Sequence, residues 1–418
     1  MALHPATNPR HVIAICGGAV AGSEAAALAA KQGALVIVIE QNLRPYGKIE
    51  DGLPRWHAKL RNKEYAKIDA NLSTEGVFFV PGTRLGEHLS FADATKNSGF
   101  SAVILAHGAW RDRTLTIDRI NEFVGKGLSY QNSFVYWFNH YEEADYSGAQ
   151  FDIKDRAIVI GGGLASIDVC KIINLELYKR ALAERGIEVD IEEMEIKGIP
   201  RTLQAHELTP EDFNIHGCTL YYRRAKEDMP LASLDNPTPE QLAKLRVSRT
   251  KIINKVSAKY LVRLEANATP VAFTADDGQL SGLVFGRTEV VDGRVKLTDE
   301  TFEVPTSQVI SSIGSIPMPI DGVPMRGELY EWEDWSEGKL VEGVYGLGNV
   351  LTGKGNIKAS RRNSQEITAR VVEEALSRPP VPAETVNHIL DMVQKRWDAV
   401  EFPGDYTRWI EANRPQQA

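Results

Sequence analysis

Cysteine is scarce in this chain: three in 418 residues, Cys16, Cys170 and Cys218, far apart and with no C-x-x-C pair. That excludes a redox-active disulfide of the C-x-x-C type and a cysteine-ligated iron–sulfur cluster. All three fall on expected strands or a helix and read as small core residues. Long apolar runs are also missing, since none approaches the roughly 18 residues that span a bilayer. The opening MALHPATNPR has no apolar signal core, so a cytoplasmic setting is expected. Positive charge is not in excess either, and a net charge of −8 argues against general nucleic-acid binding. What remains is an ordinary globular composition, 43% hydrophobic and 25% charged, long enough for two domains.

The stretch that organises the rest is HVIAICGGAVAGSEAAALAAKQGALVIVIE, His11 to Glu40. An apolar strand breaks at Gly17 and Gly18, an Ala-rich helix follows, and a second apolar strand ends in Glu40. Strand, glycine turn, helix, strand and terminal acid is the order of a dinucleotide-binding βαβ unit. Glycine lets the backbone approach a pyrophosphate, the helix N-terminus offers it unpaired N–H groups, and the acid accepts ribose hydroxyls. Ala19 replaces the second glycine, giving Gly17-x-Ala19-x-x-Gly22.

A second unit of this kind begins at RAIVIGGGLASIDVCKIINLELYKR, with Gly161 and Gly163 in the first two glycine positions and Ser166 in the third. Two glycine-turn units point to two dinucleotides, and the repetition is more specific than either motif alone. The returning strand, CTLYYRRAKEDMP, is delayed by a charged segment at about 181–217, read as a solvated helical insertion. It ends in Arg223 and Arg224 rather than an acid, and two guanidiniums there suit a 2′-phosphate, so NADPH is expected over NADH. Between Tyr260 and Val304, alternating segments with Asp277-Gly278 and Asp292-Gly293 turns read as a small antiparallel sheet. SQVISSIGSIPMP is read as the return to the first domain, and the segment after Arg378 as a helix and an irregular arm. Seven basic residues cluster early (Arg44, Lys48, Arg55, Lys59, Arg61, Lys63, Lys67), and helical spacing places Lys59, Lys63 and Lys67 on one face.

Four segments together carry a family resemblance: RPYGKIEDGLPRWHAKLRNK, SFVYWFNHYEEADY, TLYYRRAKEDMP and GNVLTGKGNI. Over most of residues 10–380, the insertion excepted, the chain resembles the adrenodoxin-reductase-like ferredoxin–NADP reductases. These are close relatives of the FAD/NADPH half of the glutamate synthase small subunit. His107 stands where relatives carry Thr, and Asn349 where they carry Trp or Asp. The resemblance implies an α/β protein of two Rossmann-like dinucleotide-binding domains, the NADP domain inserted in the FAD domain. The expected divisions are 1–150 and 306–378 for FAD, 151–305 for NADP, and 379–418 for the C-terminal helix and arm. It places FAD along Gly17, Ala19, Ala21, Gly22, Glu40, Lys48, Leu85, Gly108 and Gly348. Asn349 to Ile357 would lie over the isoalloxazine, and the helix beginning near Asn356 would aim its N–H groups at the flavin N1/O2 edge. NADPH would lie along Gly161, Gly163, Leu164, Ala165 and Ser166, with Arg223 and Arg224 on its 2′-phosphate. The implied activity passes electrons from NADPH through FAD to a ferredoxin-type iron–sulfur protein, with no side chain acting as acid or base. The alternative is an electron-input subunit serving another partner protein. His57 and His107 read as turn-stabilising histidines rather than catalysts, and no metal site is expected.

Overall fold

The computed structural model describes residues 10–234, 236–352 and 356–415. The chain divides into two compact units, Met1–Leu53, His57–Arg111 and Ser315–Ala418 in one, Pro54–Trp56 and Asp112–Gly314 in the other. Among the described residues, no helix is long and apolar enough to cross a membrane.

The first unit is built on a six-stranded sheet in the order 339–341, 344–346, 102–105, 12–16, 35–39, 77–80. Strands Val12–Cys16 and Leu35–Ile39 run parallel in register, Val12 against Leu35 through Cys16 against Ile39. Both are buried along their whole length, which is why their sequences are continuous apolar runs rather than alternating ones. Each fully buried Ile or Val contributes roughly 1.5–3 kcal/mol of burial free energy. Helix Val20–Lys31 crosses over between these strands, and its alanines let it lie close to the sheet. The strand order reverses beside Val12–Cys16, with Leu35–Ile39 on one flank and Ala102–Leu105 on the other. Such a switch point opens a crevice at the carboxyl ends of the strands.

The second unit repeats the plan. Its parallel sheet runs in the order 128–130, 309–312, 158–161, 219–222, 263–266. The small antiparallel sheet is present as Ala268–Asp276, Gln279–Val291 and Arg294–Pro305. Both Asp-Gly turns have positive φ at both residues, which the tight hairpin turn requires.

The divisions differ from those expected. The first falls after Arg111 rather than at 150, because strand Leu128–Tyr130 pairs with Val309–Ser312 and Phe134, Val135, Trp137 and Phe138 join the second unit's core. For the same reason SQVISS is the last strand of the second unit, and the return comes after Gly314 rather than at 305. The segment 181–217 is no solvated decoration. Its helices Ile191–Lys197 and Ile199–Gln204 bury Ile191, Met194, Ile199 and Leu203 in that core. Glu195 pairs at 2.7 Å with the buried Lys171, whose ammonium lies over the Trp56 and Tyr260 rings. Thr238-Pro239-Glu240-Gln241 caps the 22-residue helix Pro239–Tyr260, an element with no counterpart in the sequence reading. The expected irregular arm contains a second helix, Tyr406–Ala412, after Ala383–Ala399.

Candidate functional site

A cavity of about 560 Å³ opens at the carboxyl ends of the first unit's strands. Gly17 follows the first strand with φ +105°, and an added Cβ there would sit 2.6 Å from the Ala106 carbonyl oxygen. Gly22 is tighter: its Cβ would lie 1.7 Å from the Gly17 carbonyl oxygen. These two glycines are therefore demanded by packing as well as by any ligand. Ala19 occupies the N-cap of helix Val20–Lys31, which has no side-chain cap and no acid in its first turn. With Ala19, Val20 and Ala21 in the wall, uncapped N–H groups stand at the cavity edge.

Glu40 is fully buried in the same wall. One oxygen accepts the Gly18 N–H at 2.7 Å and the other the Asn42 N–H at 3.0 Å. Each keeps a further lone pair, so ribose hydroxyls could still be accepted. Burial outweighs those bonds and pushes the carboxyl up to about 7. Lys48 donates to Ser315 Oγ at 2.9 Å and lies 5.6 Å from the centre of the Trp110 ring. Leu85, Gly108 (φ +72°), Asn349, Asn356 and Ile357 complete the predicted residues found in the wall. Gly22 and Gly348 do not line it. Gly348 instead packs on Ala21 and donates its N–H to Asn363 Oδ1 at 2.7 Å. The Asn356 side chain accepts the Ala359 N–H at 2.9 Å and caps helix Ile357–Ser377, so capping accounts for that residue. Residues 353–355 of the expected flavin loop lie outside the described residues.

In the second unit, strand Ile158–Gly161 leads into helix Leu164–Ala183, whose N-cap is Gly163. A Cβ on Gly161 would lie 2.6 Å from both Ser166 Cβ and the Ser312 oxygen, and one on Gly162 would meet the Tyr222 ring at 2.3 Å. Around Gly163 nothing comes within 4 Å of the Cβ position, and Leu164 is 57% exposed. An open glycine, an exposed leucine and a helix end without side-chain cap or acid suit an approaching anion. Ala165 is half-buried beside them. Ser166 is fully buried and its hydroxyl donates to the Gly163 carbonyl, so it serves the turn itself. The strand Thr219–Tyr222 lies parallel to Ile158–Gly161, Ile160 against Tyr221, so Arg223 and Arg224 follow the strand end where the sequence placed them. Arg223 is exposed; Arg224 donates to the Gly293 carbonyl at 2.9 Å.

No protein-family model matches the sequence, and no curated protein matches it either. Solved structures do. FprA from Mycobacterium tuberculosis in complex with NADPH superposes with a TM-score of 0.70 at 20% identity, over 93% of this chain and 90% of that one. The chain has the fold of FprA. Thioredoxin reductase from Lactococcus lactis is also similar, with a TM-score of 0.52 at 16% identity over 88% of this chain and 100% of that one. The T. acidophilum thioredoxin reductase gives 0.50 at 16%, over 87% and 98%. The two-domain Rossmann-type α/β fold expected from the family resemblance is the fold observed.

Within this FprA-like fold the cavity wall includes His107, read from the sequence only as a turn-stabilising histidine, and residues the sequence did not announce: Trp110, Arg84 and the run Met318 to Asp321. His107 follows strand Ala102–Leu105, and the Trp110 indole donates to its carbonyl at 2.8 Å. Tyr330 gives its only hydroxyl proton to the Met318 carbonyl at 2.6 Å. The 3.1 Å contact between His107 Nε2 and the Tyr330 oxygen therefore has the ring donating, which leaves Nδ1 as a bare acceptor. Burial, with Arg84 adding to it, pushes this imidazole down to about 4, so it is neutral near pH 7. His57 sits at the N-cap position of helix Ala58–Leu72. His107 Nδ1 and Asn349 Oδ1 are both buried acceptors without a hydrogen-bond partner among the described residues. The three cysteines are buried and unpaired as disulfides, and burial raises the Cys16 thiol to about 12. No cluster of metal-ligating side chains occurs among the described residues.

Proposed function

We propose that the chain is an FAD-dependent NADPH oxidoreductase that delivers electrons to a small iron–sulfur protein of the ferredoxin type. The observation that carries this reading is the pair of glycine-turn βαβ units, one closed by the buried Glu40 and the other by Arg223 and Arg224. FprA, whose fold the chain shares, was solved with NADPH. The first cavity fits FAD by its uncapped helix end, its buried acid and its two unpartnered acceptors. Gly17, Ala19 and Ala21 leave room for the backbone to approach a pyrophosphate, and Glu40 accepts the ribose hydroxyls. Lys48, Leu85, Gly108, Asn349, Asn356 and Ile357 form the remaining wall, with Gly22 and Gly348 supporting it from behind. In the second unit Gly163, Leu164 and Ala165 border the pyrophosphate position, Gly161 and Ser166 hold the turn closed, and the two arginines take the 2′-phosphate.

When bound, FAD supplies the acceptance of hydride from NADPH and its release as single electrons. The protein's share is positioning and exclusion of water. His107 contributes no proton near neutral pH, since burial keeps it uncharged and its Nε2 proton is committed to Tyr330. The test is direct: the purified protein should be yellow, and its flavin absorbance should bleach on anaerobic addition of NADPH and recover with an oxidised ferredoxin. A colourless protein that takes up no FAD, or a flavin that NADPH leaves oxidised, refutes the reading.

A further inference from the structure

We propose that the two C-terminal helices act as a clamp that positions the wall of the first cavity. The inference rests on the reading of that cavity as the FAD site. The cavity wall beside Glu40 comes from two loops, each leaving the carboxyl end of a parallel strand. Residues 41–47 follow strand Leu35–Ile39, and residues 81–86 follow strand Val77–Val80. Loop carbonyls at such ends have no sheet partner, and ordinarily water satisfies them.

Here side chains of the C-terminal helices do so instead, and one also takes a carbonyl of the edge strand Val77–Val80 itself. The Trp397 indole donates to the Phe79 carbonyl at 2.8 Å in a buried setting. Arg396 donates to the Gly82 carbonyl at 2.9 Å and to Thr83 Oγ1 at 3.0 Å. From the last helix, the Trp409 indole donates to the Leu43 carbonyl at 2.8 Å. Tyr406 donates to Asp69 at 2.7 Å, and Tyr46 reaches the same carboxylate at 3.1 Å. Asp69 belongs to helix Ala58–Leu72, so one carboxylate ties that helix, the first loop and the last helix together.

The bonds fall on the cavity. Tyr46 and Thr83 line it, and Leu43 lies between the lining residues Gln41 and Tyr46. Indole N–H is a donor only, so an acceptor in a fixed place is what these tryptophans select. Phe402 and Phe79 pack the aromatic layer between the helices and the sheet, with Phe79 edge-on to Tyr406 at 5.2 Å and Phe402 5.3 Å from Trp409. Ring packing alone would fix distance. The directed N–H and O–H bonds fix the loop backbones as well. Trp409 and Tyr406 are thus positioning residues for FAD, acting through loop 41–47 without lining the cavity themselves.

The experiment uses Trp409→Phe, Tyr406→Phe and the double variant of the full chain, which remove the donor atoms and leave an aromatic ring at each position. FAD release from the holoprotein is followed by the rise in flavin fluorescence, and amide exchange is followed across residues 41–47. Losing the neutral Trp409 bond should speed FAD release about fivefold, and losing the Tyr406 bond to the Asp69 carboxylate at least about tenfold. The double variant should also show faster exchange in loop 41–47, with NADP⁺ affinity unchanged and turnover restored by excess free FAD. Release at the wild-type rate from a folded double variant, with unchanged loop exchange, overturns the clamp. A wild-type chain that binds no FAD refutes the functional reading instead, and the loop exchange then decides the clamp alone. If the double variant does not fold, Trp409→Phe decides by the same two readouts.

Discussion

Glu40 makes the most quantitative prediction. Its carboxyl is fully buried and pushed up to about 7 from an ordinary 4.5, because its backbone hydrogen bonds do not replace the water it lost. In the FAD-free protein the folded state therefore holds this proton more tightly than the unfolded chain does between pH 4.5 and 7. Stability must fall as pH rises through that window, by up to about 1.4 kcal/mol per unit and about 3 kcal/mol in all. Two ribose hydroxyls donating to the carboxylate favour its charged form and draw the pKa back down. Binding then expels the proton, so FAD affinity should rise with pH, approaching tenfold per unit below 7 and levelling above it. The assay is titration of the apoprotein with FAD by fluorescence quenching from pH 5 to 8.5, alongside denaturant melts of the apo form. Glu40→Gln should abolish the pH slope in both and weaken FAD binding, since a neutral amide is a poorer acceptor than a carboxylate. An affinity for FAD that does not change from pH 5 to 8, or an unaltered slope in Glu40→Gln, refutes the reasoning.

Removing both guanidiniums by Arg223→Ala with Arg224→Ala should lower kcat/KM for NADPH at least about a hundredfold, at roughly 1.5–3 kcal/mol per charge-assisted contact, and leave NADH little affected. Equal use of the two nucleotides by the unaltered protein would overturn the assignment of a 2′-phosphate site. Lys59 and Lys63 are exposed on one face of helix Ala58–Leu72, whereas Lys67 lies 3.6 Å from Glu24 and Arg44 pairs with Glu50. If the first two steer an acidic iron–sulfur partner, Lys59→Glu with Lys63→Glu should slow acceptor reduction and flatten its dependence on salt. A rate of ferredoxin reduction indifferent to both changes would refute it.

The parts of the fold legible in the sequence were those encoded by period and turn chemistry. Val12–Cys16 and Leu35–Ile39 are apolar without interruption because both sheet faces are covered, and Gly17 marks the break between strand and helix. The Asp277-Gly278 and Asp292-Gly293 turns announced the antiparallel sheet because few other pairs accept positive φ twice in succession. Boundaries were less legible. Nothing local distinguishes SQVISS as the last strand of one unit from the first strand of the other, since the choice is made by its partners Ile158–Gly161 and Leu128–Tyr130. The charged segment at 181–217 misled for a related reason. Its charges are on the outside, but Ile191, Met194, Ile199 and Leu203 are spaced so that two short helices bury them, and Glu195 is matched to a lysine far away in sequence.

The same distinction separates the visible from the invisible half of the cavity. Gly17 and Glu40, which line the cavity, could be read because a glycine turn after a strand and an acid at a strand end are recognisable residue choices, whereas Asn349, Asn356 and Ile357 came only with the family resemblance. His107 could not be read in this way, because its role depends on Tyr330 having already spent its proton on Met318, a relation among three segments. Nor could Trp397 and Trp409, which as sequence are two large apolar residues on amphipathic helices, indistinguishable from core filling. Only the placement of their N–H groups on the carbonyls of Phe79 and Leu43 turns them from filling into supports for an edge strand and a loop. A donor without an alternative acceptor role is informative once its acceptor is known. A periodic pattern records where a side chain is buried and leaves unrecorded which atom it meets.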